Sequence, residues 1–227
     1  MNQIIHITID GPSGAGKSTI AREVAKELGF FYVDTGALYR AAALGVLEQG
    51  IDPLDENAVT AVLPSMNIAL VPRPSGQQTL LNDRDMSDRI RTDEISNAAS
   101  IMAQYASVRT FLLDIQRDIA ANHSLVMDGR DIGTSVLPNA QIKLYLTASA
   151  RDRAFRRYHE MRAKGESVAF DDVYQEILQR DERDINRELS PLRRPPEAIE
   201  LDTTGNTLDE SIALVLKTIK ERLQFVL

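Results

Sequence analysis

Eight consecutive residues, Gly11-Pro12-Ser13-Gly14-Ala15-Gly16-Lys17-Ser18, carry the most specific chemistry in the chain. They match the pattern G-x-x-x-x-G-K-[ST], in which each position has a physical task. The glycines let successive backbone N–H groups turn inward around an anion. A helix starting at Gly16 would add about half a positive charge from its N-terminus. Lys17 can reach the outer phosphates of a nucleoside triphosphate, and the Ser18 hydroxyl can ligate Mg²⁺. With Thr19, the phosphate-binding stretch is residues 11–19. The bland alternative is a glycine-rich turn between strand and helix with an incidental lysine. Lys17 is expected on an exposed loop, where its loss would spare the fold.

Arginine supplies most of the cations, 20 residues against 6 lysines. A planar guanidinium donates paired hydrogen bonds to phosphate, so this usage suits phosphate chemistry as well as plain surface solubility. Arg180, Asp184 and Arg187 fall at i, i+4 and i+7 with Arg183 beside them, which places them on one helix face. That face is either a set of substrate ligands or an ordinary ion-pair ladder. Arg153, Arg156 and Arg157 lie in the helix before it, each as readily solvated as bound to phosphate. Arg40 and Arg130 stand beside expected strand ends, where the ligand crevice of an open α/β sheet lies. Asp128 ends the apolar run Leu125-Val126-Met127, as a Walker-B-like carboxylate would if it organises Mg²⁺. An Asp that merely caps a loop would look the same. Tyr39 and Tyr105 are read as packing residues. His6, His123 and His159 show no ligand spacing, and the absence of cysteine excludes disulfides, thiolate-bound zinc and a thiol nucleophile.

To gather these residues the chain needs a layered scaffold. Residues 4–9 are short and β-branched and run straight into the glycine-rich loop, which reads as a buried strand. Ile20, Val24 and Leu28 recur every four residues before Gly29, predicting a helix over 16–28. A second strand (30–33) and a second helix (35–48, stopped by Gly50) follow, and this alternation is a parallel α/β unit. Residues 62–91 break the rhythm with Pro64, Pro72, Pro74 and Gly76. The runs 67–71 and 78–81 predict a small antiparallel sheet with a Pro/Gly hairpin turn. Helices resume over 96–106 and 108–122, and core strands are expected at 125–127 and 142–146. Two arginine-rich helices, 150–162 and 170–187, are broken by Lys164-Gly165. After Pro191, Pro195 and Pro196 come a last strand (198–201) and helix (207–223). The expected architecture is an α/β, P-loop NTPase-like parallel sheet flanked by helices, with core 1–61, 107–150 and 188–227. A small antiparallel α+β insertion spans about 62–106 and a short helical lid about 151–187.

A formal charge of −7 argues against a general nucleic-acid binder and requires that any anionic substrate meet a local cluster of cations. No apolar run approaches the roughly 20 residues of a membrane helix. The first ten residues lack the basic flank and cleavage site of a secretion signal. The expectation is a cytoplasmic monomer that engages neither nucleic acid nor membrane.

Beyond the phosphate loop, Asp34-Thr35-Gly36-Ala37-Leu38-Tyr39-Arg40 resembles the D-[ST]-G-A-x-Y-R segment of bacterial cytidylate kinases, with threonine where serine is commoner. Ser96-Asn97-Ala98-Ala99-Ser100, Asp128-Gly129-Arg130-Asp131-Ile132-Gly133-Thr134 and the stretch from Arg180 to Arg187 resemble three further signatures of that family. The resemblance covers essentially the whole chain, the insertion included. The Phe-Pro-Arg that follows Asp-Gly in adenylate kinases is missing, as is the Asn-Lys-x-Asp of GTPases. The resemblance implies phosphoryl transfer from ATP, with Mg²⁺, to CMP or dCMP, giving ADP and CDP or dCDP. It implies that Arg180 and Arg187 reach substrate phosphate and ribose, that Asp184 accepts from the sugar hydroxyls, and that Ser100, Arg109 and Asp131 surround the base. Thr35, Arg40 and Arg130 complete the CMP site on this reading, and Arg153 and Arg157 serve ATP from the lid. Lys17, Asp128, Arg130, Arg180 and Arg187 would carry catalysis. Ser18 stands where some members have glycine, so its contact with the metal stays open. The alternatives are a P-loop kinase for another small acceptor, such as a different nucleoside monophosphate or shikimate, and a non-catalytic nucleotide switch. Acceptor-stimulated ADP release separates the switch from either kinase.

Overall fold

Runs of Ile, Val and Leu too short for helices supply the centre of the molecule, and helices cover both faces of the sheet they form. The computed structural model describes residues 3–73 and 76–225. The chain begins β1 (His6–Asp10), α1 (Lys17–Leu28), β2 (Phe31–Asp34), α2 (Thr35–Glu48) and α3 (Glu56–Val62). It continues through β3 (Ile68–Arg73), β4 (Gly76–Leu81), β5 (Arg84–Asp85), α4 (Asp93–Met102) and α5 (Ala106–Asn122). The rest is β6 (Leu125–Gly129), β7 (Ile142–Thr147), α6 (Ala150–Ala163), α7 (Phe170–Asn186), β8 (Ile199–Asp202) and α8 (Leu208–Leu223).

Five strands form a parallel sheet in the order β2-β6-β1-β7-β8, and β3, β4 and β5 form a separate antiparallel one. Ile7, Ile9, Val126 and Met127 on the central strands are fully buried, as expected of strands covered on both faces. Register then does the work of assembly. Asp10 pairs with Gly129 and Asp34 with Asp128, so the ends of β1, β2 and β6 lie side by side. The three segments singled out for chemistry all leave the sheet from that edge.

Ile20 and Val24 of α1 pack with Val215 and Ile219 of α8 in one aliphatic cluster. Leu38 and Ala42 of α2 share another with Met66, Ile68, Leu81, Met102 and Leu112. Met66, Ile68, Leu81 and Met102, from the segment that holds β3, β4 and α4, thus share one cluster with α2 and α5. Gln77 of β4 fastens that segment further, its side-chain oxygen accepting from the Asp34 N–H at 2.8 Å.

Three elements differ from the sequence reading. The short helix α3 falls in a stretch assigned to no element from the sequence; Asp55 caps it by accepting from the Ala58 N–H at 3.0 Å. Strand β5 turns back through Asn82 and Asp83, whose φ values of 50° and 62° make a tight two-residue hairpin. A π-helical turn, Ile132–Val136, follows β6. The expected Pro/Gly hairpin turn between β3 and β4 includes Pro74, which lies outside the described residues. Among the described residues no helix is long and apolar enough to cross a membrane.

Candidate active site

A cleft of about 970 Å³ opens over the ends of β1, β2 and β6, with the phosphate loop on one wall and α7 on the other. The loop's backbone depends on its glycines. At Gly11, φ is 151° and a Cβ would lie 1.9 Å from the Leu146 carbonyl oxygen, so no other residue fits. Lys17 does not sit on an exposed loop as expected. It opens α1 and is only 5% exposed, its ammonium donating to the Pro12 carbonyl at 2.7 Å. Burial, with Arg130 nearby, pulls its pKa well below the ordinary lysine value.

The Ser18 hydroxyl donates to Asp128 Oδ2 at 2.8 Å, while Asp128 Oδ1 is buried without a partner among the described residues. Burial, reinforced by the neighbouring Asp34, pushes the Asp128 carboxyl up to about 6. A hydroxyl and an open carboxylate oxygen are the hard donors Mg²⁺ prefers, so the pair fits the ion. No group of three or more His, Cys, Asp or Glu side chains gathers among the described residues. Tyr32, which the sequence reading passed over, reaches Ser18 and Asp128 from β2; burial pushes its phenol upward.

Arg153 departs most from its expected place as an ATP contact. Its guanidinium donates to the Ala148 carbonyl at 2.9 Å, to the Ser13 carbonyl at 2.8 Å and to Asp181 at 2.6 Å. Because β7 lies beside β1, the first turn of α6 faces the back of the phosphate loop, and Arg153 braces the loop from behind. Arg156 lines the cleft and donates to the Thr203 carbonyl at 2.6 Å. Arg157 also lines it, paired with Asp93 of α4.

The rest of the cleft is lined largely by paired charges. Arg40 pairs with Asp34 at 2.8 Å, and the Thr35 hydroxyl donates to the Asp128 carbonyl at 2.8 Å. Arg130 pairs with Asp184 at 2.8 Å. Burial alone would raise Asp184, but Arg130 and Arg180 outweigh it and hold the carboxyl below its ordinary value. Asp131 sits between two guanidinia, with Arg187 at 3.1 Å on one oxygen and Arg109 on the other. Arg187 is held in place by donating to the Ser190 carbonyl at 2.8 Å. The Ser100 hydroxyl is buried without a partner among the described residues. Tyr39 packs against the core as expected and also lines the cleft, its phenol pushed up to about 12 by burial. Tyr105 packs, donating to the Pro53 carbonyl at 2.9 Å.

Arg180 differs from all of these. It lines the cleft, its Nε is buried without a partner, and no ion pair holds it among the described residues. Burial, with Arg130 close by, lowers its pKa to about 10, so it stays charged at neutral pH. A half-buried guanidinium with an enclosed, unpaired Nε is costly to leave without a counter-charge, and in a cleft it suits an anion.

Known proteins match the chain over nearly its whole length. The family model described as cytidylate kinase matches residues 7–221. The chain is 46% identical over 215 residues to a cytidylate kinase of Carboxydothermus hydrogenoformans, covering 95% of this chain and 97% of that one. It is 44% identical over 225 residues to one of Bacillus licheniformis, covering 99% and 100%. A solved structure of an uncharacterized protein from Eubacterium ventriosum superposes with a TM-score of 0.52 at 12% identity, covering 95% and 98% of the two chains. That likeness concerns the fold alone.

Proposed function

The chain belongs to the cytidylate kinase family, and from that premise we propose how its cleft carries ATP-dependent phosphoryl transfer to CMP and dCMP. The acceptor is a phosphate oxygen, already anionic at neutral pH, so the reaction needs no strong general base. What it needs is alignment of two polyanions and neutralisation of their charge. The loop amides of residues 11–19 and Lys17 receive the ATP phosphates, Lys17 exchanging the Pro12 carbonyl for a phosphate oxygen. Ser18 and Asp128 would hold Mg²⁺, which would supply neutralisation of phosphate charge. Arg40, Arg130, Arg180 and Arg187 gather the acceptor and the migrating phosphoryl group. Arg157 approaches from the lid side, and Arg153 keeps the loop in shape. Asp184 receives the sugar hydroxyls.

The base is read by donor and acceptor matching. Cytosine offers an amino donor beside two acceptors, whereas uracil offers a carbonyl oxygen beside an N–H. Asp131 accepts from the amino group, a carboxylate having lone pairs to spare beyond its two arginines, and Arg109 and Ser100 donate to the ring acceptors. ATP and nucleoside monophosphates are cytoplasmic solutes, and the reading assigns the enzyme to that compartment.

The observation that carries the reading is Arg180 on the α7 wall, charged and half-buried, with its Nε enclosed and without a partner among the described residues. Arg180→Met tests it because function should fall while stability holds. Turnover with CMP should fall by about 10²–10⁴ as transition-state charge stabilisation is lost. Thermal stability should change little, since no ion pair holds Arg180 among the described residues and Arg130 still faces Asp184. A folded variant with near-normal turnover contradicts the reading.

A further inference from the structure

Asp10 is the last residue of β1 and stands immediately before the phosphate loop, yet it does not line the cleft. Its carboxylate is 1% exposed and both oxygens are committed across the sheet. One accepts from the Ile132 N–H at 2.8 Å, the other from the Gly133 N–H at 2.7 Å. Those two residues directly follow Arg130 and Asp131. The approach is close: a Cβ on Gly133 would lie 3.0 Å from the Thr8 hydroxyl and 3.2 Å from the Asp10 carboxylate. The loop after β6 is thus pinned to the strand that delivers the phosphate loop.

We propose that Asp10 is a positioning residue that sets the loop of residues 129–133 against the phosphate loop, and thereby sets where Asp131 meets the base of the acceptor. This rests on the reading that Asp131 faces that base. Two N–H donors from adjacent residues fix both the distance and the tilt of the peptide that follows Asp131. A single acceptor would leave the tilt free. An amide side chain cannot replace the carboxylate, because its NH₂ would face one of the two N–H groups. Burial also raises the Asp10 carboxyl to about 6, against the pull of those two N–H groups, with Asp131 adding to the rise and Lys17 opposing it. A carboxyl whose folded pKa is raised contributes stability at low pH that is lost as pH rises through about 6. At neutral pH the charge therefore costs stability, so a neutral replacement can fold while losing the second hydrogen bond.

The experiment compares Asp10→Asn, Gly133→Ala and Asp131→Asn with the wild type. It measures kcat and KM for CMP and UMP, and ATP affinity by calorimetry. Asp10→Asn should raise KM for CMP about tenfold and cut the CMP-over-UMP preference by about tenfold, as one charge-assisted bond is lost. ATP affinity should stay within about twofold. Gly133→Ala presses on the same contact from the other side and should give the same split, which keeps the test open if Asp10→Asn does not fold. Parallel losses for ATP and CMP, or an unchanged preference in the folded variants, overturn the proposal. If Asp131→Asn abolishes the preference and the other two keep it, only the positioning role of Asp10 fails. If Asp131→Asn keeps the preference, the base pocket and the proposal fall together.

Discussion

Lys17 and Asp128 show how far a single residue can be read from sequence. Both were legible as chemistry because a contiguous motif or a strand end announces them, but their burial was not, since local spacing does not reveal what packs above a loop. Burial changes what substitution should do. Lys17→Met should lower turnover by about 10²–10⁴ while leaving the melting temperature unchanged or higher, because burial already disfavours the ammonium. Loss of stability with little loss of turnover would show that Lys17 is structural. For Asp128 the folded carboxyl is raised to about 6, against about 3.9 for an ordinary aspartate, so its stabilising contribution fades as pH rises through 6. Asp128→Asn, unfolded thermally in chelator at pH 5 and 7.5, should gain stability relative to wild type at the higher pH, by up to about 3 kcal/mol. A difference independent of pH would remove that assignment. Asp184 is held below its ordinary value by Arg130 and Arg180, and its carboxylate faces the same cleft. If it receives the sugar hydroxyls, Asp184→Ala should weaken CMP more than dCMP, by about tenfold in their ratio. Equal damage to both would mark it as the structural partner of Arg130. Tyr32 and Asp10 carried no local signal; only the pairing of β1, β2 and β6 brings them to Ser18, Asp128 and Gly133.

At the scale of elements, hydrophobic period and stop residues were enough for α1, α2, α5 and the core strands, because each is long or strongly flanked. The short α3, the two-residue β5 and the π-helical turn were missed, being too brief for any period. Asn82-Asp83 between Leu81 and Arg84 was a usable hairpin signal, since both residues tolerate positive φ. Helical spacing also put Arg153, Arg156 and Arg157 in one helix without saying which face meets the phosphate loop. The neighbouring β7 decides it, and the arginines should now behave differently. Arg153→Ala removes three hydrogen bonds and leaves Asp181 an uncompensated, 13% exposed carboxylate, so it should cost about 3–5 kcal/mol. Arg157, with its partner Asp93 side chain 44% exposed, should cost under about 1 kcal/mol when truncated. Denaturant unfolding of the two variants checks this, and equal costs would contradict the bracing role of Arg153.

At the scale of the molecule, a chain of net charge −7 concentrates Arg40, Arg130, Arg180, Arg183 and Arg187 in one cleft with Lys17. Anionic substrates therefore meet a local positive site on a protein that is acidic elsewhere. The arrangement follows from topology: three parallel strands end together, α4, packed on α2, lines one side, and α7 lines the other. The chemistry of that cleft is the central claim, and ADP release measured across CMP, dCMP, UMP, AMP, GMP and shikimate tests it most directly. The account predicts rapid turnover with CMP and dCMP, kcat/KM for UMP lower by roughly 10⁴ because buried polar groups would be left unpaired, and none with shikimate. UMP or shikimate used as well as CMP would contradict it.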